Sequence, residues 1–288
     1  MSDPPPQDRR IGLALSGGGA RCFAQIGTLK ALEEEGYHVD AIAANSSAAV
    51  LGALYAACRD AGELEAIVQG IDFSSLLVPD GSTGLIGHEG VDALLADFAP
   101  DTFEELEIPL AVPTTDIERA ELLIFREGLL RPPVCASNAF PGLFAPVEYL
   151  GRHLMDGGMI NNFPVDIIRT MTPRPVLAVD VRPSASGPLD LDRKTPASLL
   201  GKVGALFDHG ASTTVDILMQ AYSITQTRLI EIMLAMHPPD VWLRPELSSD
   251  FDVQDFSRLD EAIEIGYRSV GEAIASGRFT ALAGRDPR

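Results

Sequence analysis

Ser46, Asp156 and the run Gly17-Gly18-Gly19-Ala20-Arg21 are the residues of this chain whose types and settings could do chemistry together. Ser46 stands between an apolar, β-type run and an alanine-rich helical one. A serine at such a junction is held out of the chain on a tight turn, beside a helix N-terminus that favours developing negative charge. Asp156-Gly157-Gly158 begins 110 residues later, at the end of another strand-like run. The glycine run lets successive backbone N–H groups converge on an anion without interference from Cβ atoms. Nucleophile, base and anion cradle are the parts of a hydrolytic acyl transfer. Each island also has a plainer reading. Ser46 or Ser47 caps a helix, Asp-Gly-Gly makes a turn, and the glycines make a tight bend with no ligand. Dinucleotide binding fits poorly. Cys22 stands where G-x-G-x-x-G has its last glycine, and Ala44 and Asn45 stand where a ribose-binding acid would end the second strand.

The elements that must position these residues follow from apolar periodicity and punctuation. Ile11–Leu15 reads as a buried parallel strand, Phe23–Glu35 as a helix stopped by Gly36, Val39–Ala43 as a second strand and Ser47–Cys58 as a second helix. Short helices are predicted over 63–69, 91–98 and 133–137, strands over 108–112, 121–125 and 175–181, and a hairpin over 147–154 turning at Gly151. Residues 197–236 read as mainly helical, Val241–Leu243 as a last strand and Leu259–Ala275 as an amphipathic helix. Between Asp72 and Gly90 lies a long irregular stretch with four glycines from 81 to 90, a candidate lid over an acyl site. The strand-helix-strand-helix opening predicts a three-layer α/β/α domain around a mostly parallel sheet. One domain is expected over 11–288, with core motifs in 11–170 and a helical and strand completion in 171–288, after a disordered tail at 1–10.

Composition narrows the class. The chain has 288 residues, 46% of them hydrophobic, with a mean hydropathy of +0.12. Its 22 basic residues against 41 acidic give a net charge of −19, which argues against nucleic acid and against docking on anionic lipid. An odd set of cysteines, Cys22, Cys58 and Cys135, suggests free thiols in a reducing compartment. Residues 1–10 have no apolar stretch and read as no secretory signal. A cytoplasmic protein with at most transient membrane-surface contact is expected. No HExxH or Cys/His cluster suggests a metal, and none of His38, His88, His153, His209 and His237 sits in an obvious triad context.

With these residues in hand, the chain resembles the bacterial patatin-like phospholipases, the family that includes plant patatins and neuropathy-target-esterase-like proteins. Leu15–Arg21 is similar to the family's oxyanion loop and residues 26–33 to the helix after it. Residues 44–48 match the nucleophile motif (Ala44, Asn45, Ser46, Ser47, Ala48) and 50–56 its helix, while 136–142 and 156–165 match later blocks. The segments around 255–256 and 265–266 are similar to the C-terminal block of the bacterial proteins. The resemblance implies a Ser46–Asp156 dyad with no histidine, an oxyanion hole from the amides of Gly17, Gly18 and Gly19 with Arg21 holding the loop, and a base turn at Gly157 and Gly158. It implies acyl-ester lipid or small ester substrates and no cofactor. The chain departs from the pattern at Cys22, Ala44, Ala48 and Ala120, where glycine is usual. The elbow alanines set a second reading beside the hydrolase, a catalytically weak or inactive adaptor or lipid-binding protein.

Overall fold

Strand β1 (Arg10–Leu15) is buried at every residue after the first, as its apolar run requires, because it has parallel neighbours on both sides. The structure is a computed structural model, describing residues 9–73, 76, 86–182 and 211–282, with the side chains of 211–219 left aside. The tail expected at 1–10 lies outside the described residues as far as residue 8. In chain order the elements are β1, α1 (Phe23–Glu34), β2 (His38–Ala44), α2 (Ser47–Cys58), α3 (Ala61–Gln69) and α4 (Glu89–Phe98). Then follow β3 (Leu110–Asp116), β4 (Glu121–Phe125), α5 (Arg131–Ser137), β5 (Val147–Tyr149), β6 (Arg152–Asp156), α6 (Gly158–Asn161) and α7 (Val165–Met171). The last are β7 (Val176–Val179), α8 (Ala211–Met236), β8 (Val241–Leu243) and α9 (Leu259–Ala275).

The sheet runs β5-β6-β3-β2-β1-β7-β8, with β4 also paired to β3. Strands β3, β2, β1, β7 and β8 are parallel, and β4, β5 and β6 add antiparallel pairs. Alternation along the strands sorts residues to two faces. Leu13, Leu15, Ile42 and Ala44 join the larger core with the inner faces of α1 and α2. Ala14, Ala41, Ala43, Ala111 and Ala178 form the other face, covered by α7 and by Ile230 of α8. This is the expected single-domain, three-layer α/β/α architecture around a mostly parallel sheet. Helix α1 is buried along most of its length because α9 lies across it. A Cβ on Gly27 would stand 1.8 Å from the Ile263 carbonyl oxygen, and one on Gly266 1.7 Å from that of Ala24.

Several elements differ from expectation. Strand β3 continues through Thr114, Thr115 and Asp116, all buried, because β4 and β6 both pair with that polar end. The Asp116 carboxylate accepts from the amides of Glu118 and Arg119 and from the guanidinium groups of Arg119 and Arg152. These bonds outweigh its burial and hold its pKa down at about 2. Helix α3 starts early because the Asp60 side chain caps it, accepting from Glu63 N–H at 2.8 Å. Helices α6 and α7, which the sequence reading does not anticipate, fill the stretch after Asp156. Most of the proposed lid (residues 74, 75 and 77–85) and the expected helical segment 197–210 lie outside the described residues. Among the described residues, no helix is long and apolar enough to cross a membrane.

Candidate active site

Strands β1 and β2 end side by side, and the loops leaving them carry the glycine run and Ser46. Ser46 has φ 58° and ψ −136°, a backbone conformation that side chains rarely adopt and that costs on the order of 1–3 kcal/mol. The turn is held by its surroundings: Asn45 N–H donates to Leu15 O at 3.3 Å, Ser46 N–H to Ser137 Oγ at 3.0 Å, and Ala49 N–H to Ser46 O at 2.8 Å. The helix-capping reading fails for both serines. Ser46 occupies the N-cap position without a side-chain capping bond, and the Ser47 hydroxyl donates to Asn138 Oδ1 at 3.3 Å.

Asp156 ends β6 with 2% of its surface exposed. Its N–H donates to Ala139 O at 3.1 Å, and its carbonyl accepts from the Thr115 hydroxyl at 3.0 Å. Carboxylate Oδ1 accepts from Gly158 N–H at 2.7 Å and Asn45 Nδ2 at 2.9 Å, and the Ser46 side chain is near enough to help lower the pKa of the group. Burial raises the pKa of Asp156 above the ordinary aspartate value; the hydrogen bonds from Gly158, Ser46 and Asn45 oppose it without cancelling it. A raised pKa makes the carboxylate a stronger base than a solvated one.

One amide side chain joins the islands. Asn45 Nδ2 donates to Asn162 Oδ1 at 2.9 Å as well as to Asp156, and Asn45 Oδ1 accepts from Ser137 Oγ at 3.2 Å. Asn162 Oδ1 also accepts from Gly17 N–H at 3.1 Å. The amide of Gly17 is therefore engaged, unlike the expected three-donor cradle. Among the described residues the amides of Gly18 and Gly19 have no acceptor. Glycine is needed here for close approach. A Cβ on Gly17 would lie 2.7 Å from Ser46 Cβ, and one on Gly19, at φ 58°, 2.2 Å from Val253 O. A Cβ on Gly157 would lie 2.4 Å from Pro113 O, and one on Gly158 2.9 Å from Asp156 Oδ1.

Arg21 lies outside the cavity. Buried, with its pKa lowered chiefly by desolvation, it donates to Val181 O at 2.6 Å and Phe251 O at 2.8 Å, and so anchors the glycine loop to the C-terminal part of the chain. Of the four departures, Cys22 is buried under the loop with its thiol pKa pushed up by desolvation. Ala44 and Ala48 are fully buried. A Cβ on Gly52 would be 3.2 Å from the Ala44 methyl, so the missing side chain at 52 gives Ala44 its room. Ala120 has φ 54°, which explains the preference for glycine there.

Ser46, Asp156 and the glycine run open on a cavity of about 350 Å³. Its apolar wall comes from α2, α3, α4 and neighbouring loops (Leu54, Val68, Ile71, Phe73, Leu94, Phe256). Among the described residues no histidine lines it; His88 sits beside Phe144 with Nε2 2.7 Å from Ala145 O, and His153 pairs with Glu118 on the surface. His209 lies outside the described residues. The sequence reading missed Ser137, Asn138 and Asn162, although all three fall in segments that carry the family resemblance.

A family model described as patatin-like phospholipase matches residues 13–169. The chain belongs to the patatin-like phospholipase family. Among curated relatives of this patatin-like chain, an uncharacterized NTE family protein of Mycobacterium tuberculosis is 33% identical over 72% of it and 60% of the relative. Human patatin-like phospholipase domain-containing protein 6 is 29% identical over 93% of it and 20% of that protein. The chain thus spans 60% of the first relative's length and 20% of the second's. In structure it is similar to VipD from Legionella pneumophila, with a TM-score of 0.57, 14% identity, and coverage of 93% of this chain and 67% of that one. That likeness concerns the fold alone.

Proposed function

We propose that this chain is a serine acyl hydrolase that cleaves carboxylic esters of glycerolipids through an acyl-enzyme on Ser46, with Asp156 as the single acid-base group. The observation that carries this reading is the strained turn that holds Ser46 against the buried Asp156 carboxylate at an apolar cavity. Family membership and the names of the phospholipase relatives support the substrate class.

The proposed reaction uses these groups in turn. Asp156 takes the hydroxyl proton as Ser46 Oγ bonds to the ester carbonyl carbon. The carbonyl oxygen becomes an oxyanion facing the amides of Gly18 and Gly19; one such donor is typically worth about 10²–10³ in rate. The carbon–oxygen bond to the alcohol breaks, and Asp156 returns its proton to the departing alkoxide. Asp156 next deprotonates a water that attacks the acyl-enzyme. Ser46 leaves with the proton, releasing the acid and restoring the dyad. The Asn45 and Gly158 donors orient Asp156 and favour its ionised form. No step calls for a cofactor.

The charge of −19 supports action from the aqueous phase with transient contact at lipid surfaces, and the odd thiols support a cytoplasmic setting. A fluorophosphonate probe tests the nucleophile. It should label wild type at Ser46 and leave Ser46→Ala unlabelled. An inert wild type, and an inert Ala44→Gly/Ala48→Gly variant, would favour the non-catalytic lipid-binding role that the two buried elbow alanines suggest.

A further inference from the structure

Helix α8 belongs to the second layer, packed on α6 and α7, and forms the wall of the cavity across from α2, α3 and α4. It supplies Tyr222, Ser223, Gln226 and Thr227 to the lining, joined there by Asn162 and Arg182. This side is polar where the other is apolar. Gln226 is 6% exposed, and its side-chain carbonyl Oε1 has no hydrogen-bond partner. Among the described residues three other buried side-chain atoms lack a partner, on Gln25, His88 and Thr114, and none of those residues lines the cavity. Two of the donors on this wall are engaged elsewhere. Thr227 Oγ1 donates to Ser223 O at 2.9 Å, and Arg182 binds both oxygens of Asp180 at 2.8 Å. A buried acceptor without a donor is costly to keep, and a ligand that supplies the donor removes that cost.

An ester at Ser46 must place its two halves in different surroundings. The hydrocarbon chain belongs against the α2–α4 wall, which leaves the alcohol half on the α8 side. We propose that Gln226 is a specificity-determining residue whose side-chain carbonyl accepts a hydrogen bond from a free hydroxyl on the alcohol half of the ester. The proposal rests on the hydrolase reading above. The substrates it selects are esters of polyols that retain an unesterified hydroxyl, over esters of simple alcohols with the same acyl chain. A site that leaves a buried acceptor unpaired discriminates strongly against analogues lacking the donor.

The test compares 1-octanoylglycerol with propyl octanoate, identical in acyl chain and reacting bond, on wild type, Gln226→Leu and Gln226→Glu, with kcat/KM as the readout. Wild type should prefer the glycerol ester by at least about tenfold. Gln226→Leu should bring the ratio of the two to near one, and Gln226→Glu, which keeps an acceptor, should retain part of the preference. Gln226→Met replaces the leucine variant if that does not fold. An active wild type whose ratio is unchanged in Gln226→Leu or Gln226→Met overturns the role of Gln226 and leaves the hydrolase reading standing. No turnover of either ester by wild type, with Ser46 unlabelled by fluorophosphonate, overturns both.

Discussion

Asn45 engages both ends of its side-chain amide in the site, donating to Asp156 and Asn162 and accepting from Ser137. Its donor to Asp156 is one of the bonds that restrain the carboxylate's upward pKa shift, whose main cause is burial. The sign of the pH effect follows. The base works ionised, so activity is lost as pH falls through the pKa of Asp156, and the acid limb of kcat/KM should lie above the ordinary aspartate value of about 3.9. Asn45→Asp removes that donor and introduces a like charge. The acid limb should then move to higher pH by about one unit or more, as read with a small soluble ester from pH 4 to 9. A limb that stays in place in a folded variant would show that Asn45 does not tune the base. Residues of this kind are the least legible in sequence. Ser46, Asp156 and the glycines advertise themselves by type and setting, whereas Asn162 resembles any polar turn residue and meets partners 117 and 145 positions away.

At the scale of elements, the opening β1-α1-β2-α2 unit is legible because apolar runs alternate with glycine and serine punctuation. The polar half of β3 is not, because Thr114, Thr115 and Asp116 look like a loop until β4 and β6 pair with them. Nor are α6 and α7, too short for a helical period to declare itself. The crossing of α1 and α9 depends on Gly27 and Gly266, where the two backbones come closer than a Cβ permits. Gly27→Ala should force the helices apart and destabilise the protein by about 3 kcal/mol, the upper part of the usual overpacking range. Equilibrium denaturation in urea measures this as a lower midpoint at constant slope. A midpoint equal to that of wild type would mean that the helices slide without cost. The effect belongs to stability, since α1 gives the cavity only Phe23, at its first turn, and none of the proposed reacting groups.

Across the whole molecule, the parallel sheet gathers residues from 17 to 256 at one end of its strands, the usual place for a site in an open α/β fold. The same molecule carries a net charge of −19. Repulsion from anionic bilayers acts over roughly 8–10 Å at physiological salt, so dispersed single-chain esters should turn over faster than packed phosphatidylglycerol vesicles, most clearly at low salt. Faster turnover of the vesicles in low salt would show that net charge does not govern access. The dyad itself is tested most directly by ester hydrolysis with purified Ser46→Ala, Ser47→Ala, Asp156→Asn and the double variant Ser46→Ala/Asp156→Asn, each checked for native folding. Because the pair acts as one unit, Ser46→Ala and Asp156→Asn should each abolish turnover and the double variant should be little worse than either. Ser47→Ala should keep most activity. Full activity in Asp156→Asn, or loss of activity in Ser47→Ala with retention in Ser46→Ala, would contradict the assignment.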